Sequence, residues 1–360
     1  MNFFSFPKPA RRRTKFPGLL VLLLIAWLFW PGNETRPLLN SPIPSTLESQ
    51  ACIDLRPEDE TFQEAVVWEA GRYCVAVDFW QRRFCGAGHC APAAYRHLLA
   101  IKGGGVTINL NNHTLHSDGH SSGIIAYAQQ NKSSTQPNKP NFIFTQSTKI
   151  ITIKNGVIDL RGLGVGVKLI NHWDMLFLDD QVPGSRASYE KTEFVLENLR
   201  IITDNIGIIL EGDGNIIRNC IIESDGRAAI MMAGPRGLIE NNTIILTRKL
   251  MPGLIPFTFN KLMEGSYTPG RIYSEIEEWQ VQKAAIVLHQ ASNTVIRNNT
   301  IEVKGHSATR HNIYLTDASE NIRIEGNTFV GSEDPVTLLK GSTATMKNNV
   351  FEPRTPWWKF

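Results

Sequence analysis

The sequence is short of net charge, of long apolar runs and of metal-ligand spacing. Lysine and arginine total 37 against 34 acids, a net of +3. Residues 1–16 carry Lys8, Arg11, Arg12, Arg13 and Lys15 with no acid, so the other residues sum to −2. A body that close to neutrality has no polybasic footprint, and nucleic acid is not an expected partner. The strongest apolar run, Gly18 to Trp30, has 13 residues, short of the roughly 20 that a full membrane span needs. Behind a basic start it predicts the core of an export signal. Because no small-residue cleavage site follows in "WPGNETRP", an uncleaved membrane anchor is the other expectation, with the body outside. "HSATRH" spaces His306 and His311 five apart with no carboxylate cluster beside them, so neither metal nor cofactor is expected.

Cysteine is also sparse. Of the five, Cys52, Cys74, Cys85 and Cys90 precede the regular part of the chain. Four cysteines allow three pairings, of which Cys52–Cys74 with Cys85–Cys90 is preferred. Cys220 is expected to be a packed free thiol.

What the chain has in quantity is one repeated pattern. "INLNNHTLHS", "ITIKNGVIDL", "FVLENLRIIT", "NIIRNCIIES", "GLIENNTIIL", "TVIRNNTIEV", "IRIEGNTFVG" and "ATMKNNVFEP" align Asn112, Asn155, Asn198, Asn219, Asn241, Asn298, Gly326 and Asn348 in one column. The spacings are 43, 43, 21, 22, 57, 28 and 22, a unit of about 21–22 residues with insertions. Asparagine tolerates the left-handed backbone that a very tight turn requires, and amides in register can bond as a ladder. Between these columns a second strand recurs, with Ile124, Val167, Ile208, Ile230, Ile286, Ile313 and Val336 at one inward position. Period-two alternation marks a strand with one buried face. Together they predict an all-β fold, a right-handed parallel β-helix in which each strand pairs with its equivalent one rung away.

The expected organisation is a signal or anchor over 1–30, a Pro-rich tether over 31–50, a disulfide-containing cap over 51–105 that opens with a short helix, the β-helix over 106–352, and an aromatic cap over 353–360. Insertions interrupt the coils near 129–147, 171–192 and 248–283. The last two are rich in aromatics, including Trp173, Tyr189 and Trp279, and insertions on one side of a solenoid commonly build a binding wall.

Outward positions of the second recurring strand bear the candidate chemistry. One file reads Ile125, Lys168, Ile209, Met231, Val287, Tyr314 and Thr337, and the next reads Tyr127, Ile170, Glu211, Ala233, His289, Thr316 and Leu339. Outward aliphatics in the middle rungs imply a cover. Around them Lys168, Glu211, His289, Tyr314 and Arg310 are the catalytic candidates. Trp173, Tyr189, Trp279, His311 and Asp317 are the candidates for substrate binding. Cation, imidazole and phenol suit removal of a proton beside a carboxylate, as in elimination or epimerisation of a uronic acid polymer. There Arg310 or Lys168 neutralises the carboxylate, His289 takes the C5 proton and Tyr314 donates. Asp118, Asp204 and Asp225 fall in turns, where aspartate is first of all turn chemistry, so hydrolysis by a carboxylate pair is the weaker expectation.

"GVTINLNNHTLHSDG", preceded by "GRYCVAVDF", resembles the opening coil of the pectin-lyase-like right-handed β-helix superfamily, and within it the NosD-like proteins, whose first coil reads like "DLNGHTI". His113 and Thr114 match that pattern, while Asn109 and Asn112 stand where it has Asp and Gly. The resemblance covers about residues 70–352. It implies an exported protein that binds or modifies a polysaccharide, since the superfamily includes lyases, hydrolases and mannuronan C5-epimerases. It also includes copper-site maturation factors and proteins without activity, so a non-catalytic binding or scaffold protein of an envelope or exopolysaccharide assembly is the rival expectation. The chain lacks the "DPHD" motif of the epimerases and the aspartate set of the polygalacturonases.

Overall fold

The computed structural model describes residues 52–58, 64–81, 97–118, 121–127, 149–161, 164–170, 191–225, 228–247, 284–304, 311–316, 319–332, 334–339 and 341–353. Tyr127 and the short strands at 85–86, 89–90, 129–131 and 143–146 are described as backbone alone. The signal or anchor segment, the tether, the two aromatic insertions and the aromatic C-terminus lie outside these residues. No helix among the described residues is long and apolar enough to cross a membrane.

The described chain is a right-handed parallel β-helix. Each coil has three strands, and the 22-residue rung at 216–237 illustrates them: Ile216–Arg218, then Ile221–Ser224, then Ile230–Ala233. Each pairs in parallel with its counterpart on the next coil, at Leu238–Glu240, Thr243–Leu246 and Ala284–His289. Three stacks of strands result, called here the first, second and third sheets.

Packing follows from alternation along every strand. In the first sheet Ile108, Ile153, Leu196, Ile217, Ile239, Ile296 and Ile324 stack inward in register. In the second, Phe79, Leu115, Ile158, Ile201, Ile222, Ile244, Ile301 and Phe329 do the same. With the inward file of the third sheet they form one continuous core. At the last coil that core runs out: Leu338, Met346 and Phe351 point inward but are exposed. Before the third sheet the chain packs so closely that a Cβ on Gly166 would lie 2.3 Å from the carbonyl oxygen of Gly207.

First and second sheets are joined by the asparagine turn. All eight residues of the aligned column have positive φ, from 53° at Asn198 to 64° at Asn112 and Gly326. Glycine serves equally well at this position, for the reason that asparagine does: the left-handed conformation.

The amide ladder itself needs a correction. Asn198 Nδ2 donates to Asn155 Oδ1 at 3.2 Å, but in the later coils the ladder is one residue further on. There Asn242, Asn299, Asn327 and Asn349 run in sequence, each Nδ2 donating to the next Oδ1 at 2.9, 2.9 and 3.1 Å. Asn219, Asn241, Asn298 and Asn348 make the turn, which throws the following side chain inward to where the amides stack. Cys220 heads this file, its backbone N–H donating to Asn242 Oδ1.

Outside the first sheet runs a stripe that sequence reading passed over. Lys154, Glu197, Arg218, Glu240, Arg297, Glu325 and Lys347 occupy equivalent positions on successive coils. Their signs alternate without a break. Arg218 reaches Glu197 at 3.0 Å and Arg297 reaches Glu240 at 2.6 Å.

The N-terminal region departs from expectation. Ala65–Val67 is a strand of the third sheet, paired in parallel with His97–Ile101, where a short helix was expected. Ala65 and Val67 are buried inside the coil, so the local apolar spacing is two. Parallel stacking begins at Ile53–Leu55 on Gly71–Val75, within the segment read as cap. Cys52 and Cys74 are disulfide-bonded across these coils. Cys85 and Cys90 face each other in a short antiparallel ladder, and their side chains lie outside the described atoms. The polar insertion near 129–147 contains an antiparallel strand pair, Gln129–Asn131 with Ile143–Gln146.

Candidate functional site

The outward face of the third sheet is the candidate site. Its first file is in register from Ile125 through Lys168, Ile209, Met231, Val287 and Tyr314 to Thr337. Its second places Glu211, Ala233 and His289 on successive rungs. Alternation puts these side chains outside the coil, yet Ile170, Ile209, Met231, Val287 and Tyr314 are buried. With Ile206, Ala228 and Ala284 they form an apolar cluster separate from the interior. The sequence predicts a cover over this patch, and the aromatic insertions expected to supply it lie outside the described residues.

At one end of the cluster the surface turns polar. His289 is 6% exposed, and its Nδ1 lies 2.7 Å from Oγ1 of Thr316, which fixes the imidazole in one orientation. Tyr314, also 6% exposed, lies in the strand His311–Leu315, two residues before Thr316, so it stands diagonally across from His289. Its ring lies 6.0 Å from that of His311. His311 Nδ1 is 3.1 Å from the backbone oxygen of Asp334 and 2.7 Å from Thr337 Oγ1. A carbonyl oxygen only accepts, so the contact to Asp334 is a donation from Nδ1 of His311. An imidazole and a phenol on adjacent rungs of one face can both exchange protons with a single substrate.

The other candidates are distributed along the stack. Glu211, buried, is two rungs from His289, about 10 Å by strand spacing. Lys168 is four rungs from Tyr314, about 19 Å. The sequence grouped both with His289 and Tyr314. Register separates them because Ile209, Met231 and Val287 intervene in the same file. Arg310, Asp317, Trp173, Tyr189 and Trp279 lie outside the described residues. Among the described residues no group of three or more His, Cys, Asp or Glu side chains is placed to hold a metal ion.

One pair beside this face went unnoticed in the sequence. Asp213 is buried and forms an ion pair with Arg236, which is mostly exposed. Both sit in the turn after a third-sheet strand, in "EGDGN" and "AGPRG", and aligning those turns places them on neighbouring rungs. Arg236 has a φ of 57°, unusual for a side chain of that size. Asp204 and Asp225 fall in the turns between second and third sheets, away from the His289 end.

A coil of three stacked parallel sheets defines a right-handed β-helix protein. Residues 187–353 match the family model described as a right handed beta helix region. Comparison with curated protein sequences gives no match. Some solved structures are similar at low identity. Full-length tailspike protein 2 from Escherichia coli O157:H7 bacteriophage CAB120 is 10% identical with a TM-score of 0.47, over 80% of this chain and 35% of that one. sacteLam55A from Streptomyces sp. SirexAA-E is 8% identical with a TM-score of 0.42, over 78% and 46%. The A-module of the Azotobacter vinelandii mannuronan C-5 epimerase AlgE4 is 10% identical with a TM-score of 0.39, over 84% and 86%. The chain spans about a third of the tailspike's length.

Proposed function

We propose that the protein lies outside the cytoplasm and engages an extended polysaccharide along the third sheet, with His289 and Tyr314 as the point where proton transfer is available. The observation that carries this reading is their placement: an oriented imidazole and a phenol on adjacent rungs, at the polar end of a covered apolar face. Stacked strands give a long shallow track suited to a polymer. An acidic polymer suits it best, with Arg310, which immediately precedes His311 in the chain, or Lys168 as the cation that would neutralise the sugar carboxylate. Removal of the C5 proton by His289 and donation by Tyr314 would make the reaction a uronate elimination or C5 epimerisation. The Cys52–Cys74 disulfide supports an oxidising compartment, and the basic and apolar N-terminus supports export or tethering to a membrane.

A second reading is favoured by a specific observation. Lys168 and Glu211 do not converge on His289, so the face can be a binding track, and the protein a scaffold in an envelope or exopolysaccharide assembly, without chemistry. Incubation with uronate-containing polysaccharides separates the two. Unsaturated product or C5 proton exchange, lost in His289→Ala, supports the catalytic reading. Binding without turnover supports the scaffold, and neither binding nor turnover on any polymer defeats both.

A further inference from the structure

The outward face of the first sheet carries a second file beside the charged stripe. From Thr107 it runs through Thr152, Val195, Ile216, Leu238, Val295 and Arg323 to Thr345, one residue per coil and in register. Its four central members are aliphatic and partly exposed, whereas the aliphatics in the outward file of the third sheet are buried. Threonines and one arginine bound them at both ends of the file. Four outward aliphatics in a row add nothing to the interior core, and an apolar centre inside a polar rim is the layout of a contact surface.

The charged stripe runs from Lys154 to Lys347, with the neutral Asn109 one coil ahead of it. Reversing an alternating file about a point between two coils sets every odd position against an even one, so the file meets its own opposite. The midpoint of the eight coils from Val106–Asn109 to Ala344–Lys347 falls between Ile216–Arg218 and Leu238–Glu240. A second copy facing the first, turned end for end there about a two-fold axis along the strand direction, would set Arg218 against Glu240 and Glu197 against Arg297, each twice. Lys154 would meet Glu325, and Lys347 would meet Asn109. In the neighbouring file Ile216 would meet Leu238 and Val195 would meet Val295, while Thr152 would meet Arg323 and Thr107 would meet Thr345. On the bordering turn Glu193, Gly214, Arg236 and Asn293 hold equivalent positions, all with positive φ. There Glu193, paired with Lys191, would face Asn293, and Arg236, paired with Asp213, would face Gly214. No like charges oppose each other in these three files. Asp54 and Arg72 lie on coils beyond the overlap.

We propose that the first sheet is the docking surface for a second copy of this chain, the two coils antiparallel and face to face, independent of the reading of the third sheet. Both files are self-complementary about the same point, which is what an isologous two-fold interface requires and a surface for an unrelated partner does not. Seven coil spacings make the face about 34 Å long, and with its turns it is about 20 Å wide, so each copy offers roughly 700 Å², close to the ~800 Å² of a stable interface. The central charges enter already paired, Arg218 with Glu197 and Arg297 with Glu240, so no lone charge is desolvated. These arginines are 41% and 47% exposed, and a guanidinium has donors enough for an acid of its own chain and one of the second copy.

The test is sedimentation of the full-length protein from about 1 to 100 μM, joined to cysteine cross-linking. A dimer is expected. Leu238→Ser should raise its dissociation constant about tenfold or more by setting a hydroxyl against Ile216 of the second copy, and Leu238→Ile should retain most of the association. Because Leu238 is at the surface, unchanged thermal melting of both variants, at a concentration where the parent is monomeric, separates lost association from lost folding. Val195→Cys and Val295→Cys, oxidised separately and as a mixture, report the geometry against the parent as control. The cross-link should form only in the mixture, since identical positions stand three coils apart, about 14 Å, too far for a disulfide. The proposal is overturned if the protein is a monomer at about 100 μM, if Leu238→Ser associates within about twofold of the parent, or if Val195→Cys cross-links to itself as readily as to Val295→Cys. Binding or turnover of uronate polymers at the His289 face, measured in parallel, should be untouched by Leu238→Ser, so the two proposals succeed or fail separately.

Discussion

Replacing Asn299 by alanine removes the centre of the amide ladder. Asn299 is 2% exposed. Its Nδ2 donates to the carbonyl oxygens of Ile239 and Arg297 at 2.9 and 3.0 Å and to Asn327 Oδ1 at 2.9 Å. Its Oδ1 accepts from the backbone N–H and the side-chain amide of Asn242, both at 2.9 Å. Alanine leaves the Asn242 N–H and the Ile239 carbonyl without these partners inside the coil. An orphaned buried polar group costs about 1–3 kcal/mol, so two of them set an expected loss of roughly 3–5 kcal/mol with the small cavity included. Asn349→Ala, at the partly exposed end of the same file, leaves groups that water can reach and should cost about 1 kcal/mol. Guanidinium unfolding gives the difference. Amide exchange at Asn242 reports the coil itself, which matters because stacked repeats need not unfold in one step. A loss below about 1 kcal/mol for Asn299→Ala, or one equal to that of Asn349→Ala, would refute the view that the ladder stabilises by satisfying buried backbone groups.

Burial pushes the Cys220 thiol from its ordinary 9.0 up to about 12, with the nearby Glu197 carboxylate adding to the rise. Between those values the unfolded chain gives up a proton that the folded chain keeps. Stability fully present below pH 9 is therefore lost as pH rises toward 12, by about 1.4 kcal/mol per unit, and Cys220→Ala should show a shallower decline in alkaline unfolding curves. The native thiol should also resist a disulfide reagent until denaturant is added. Gly166→Ala places a Cβ against the Gly207 carbonyl oxygen and Ile201 Cγ2, at 2.3 and 2.6 Å, and should lower the melting temperature or abolish soluble expression. An unchanged melting temperature would show that the coil can shift there. Glu240→Lys puts a third cation in register between Arg218 and Arg297. It should cost about 1–2 kcal/mol at low salt and less at high salt, measured as paired denaturant curves; no salt dependence would remove the electrostatic cause.

Much of the architecture was legible because a stacked coil repeats its constraints. The left-handed turn column and its flanking inward files can be read from one alignment of eight segments, and the outward file from Ile125 to Thr337 from the seven copies of the second recurring strand. What the alignment could not decide was which of two adjacent asparagines does which task. In "RNNT" either could turn and either could stack, and only backbone geometry assigns the turn to Asn298 and the ladder to Asn299. The opening strand Ala65–Val67 was misread because three residues are too few to distinguish a period of two from one of 3.6. The stacking of Trp80 on His116 was hidden for another reason. The coil of Trp80 lacks the asparagine that marks the later ones, which begin with Asn112 in the coil of His116, so the register linking positions 36 residues apart had no visible anchor. For the candidate site, the alignment correctly put His289 and Tyr314 on neighbouring rungs. It also fixed the distance from Lys168, since the same file counts the rungs between.

The alternating charges outside the first sheet act as a parity check on assembly. A chain made of near-identical coils can misfold by omission, docking a coil against its neighbour's neighbour with every inward aliphatic still satisfied. Dropping any one coil between Lys154 and Lys347 brings two like charges together, whereas the complete order opposes unlike charges at every step. The apolar interior cannot detect such an error. The surface stripe can, and the long excursion between Glu240 and Arg297, where an omission would be easiest, is spanned by the pair in closest contact.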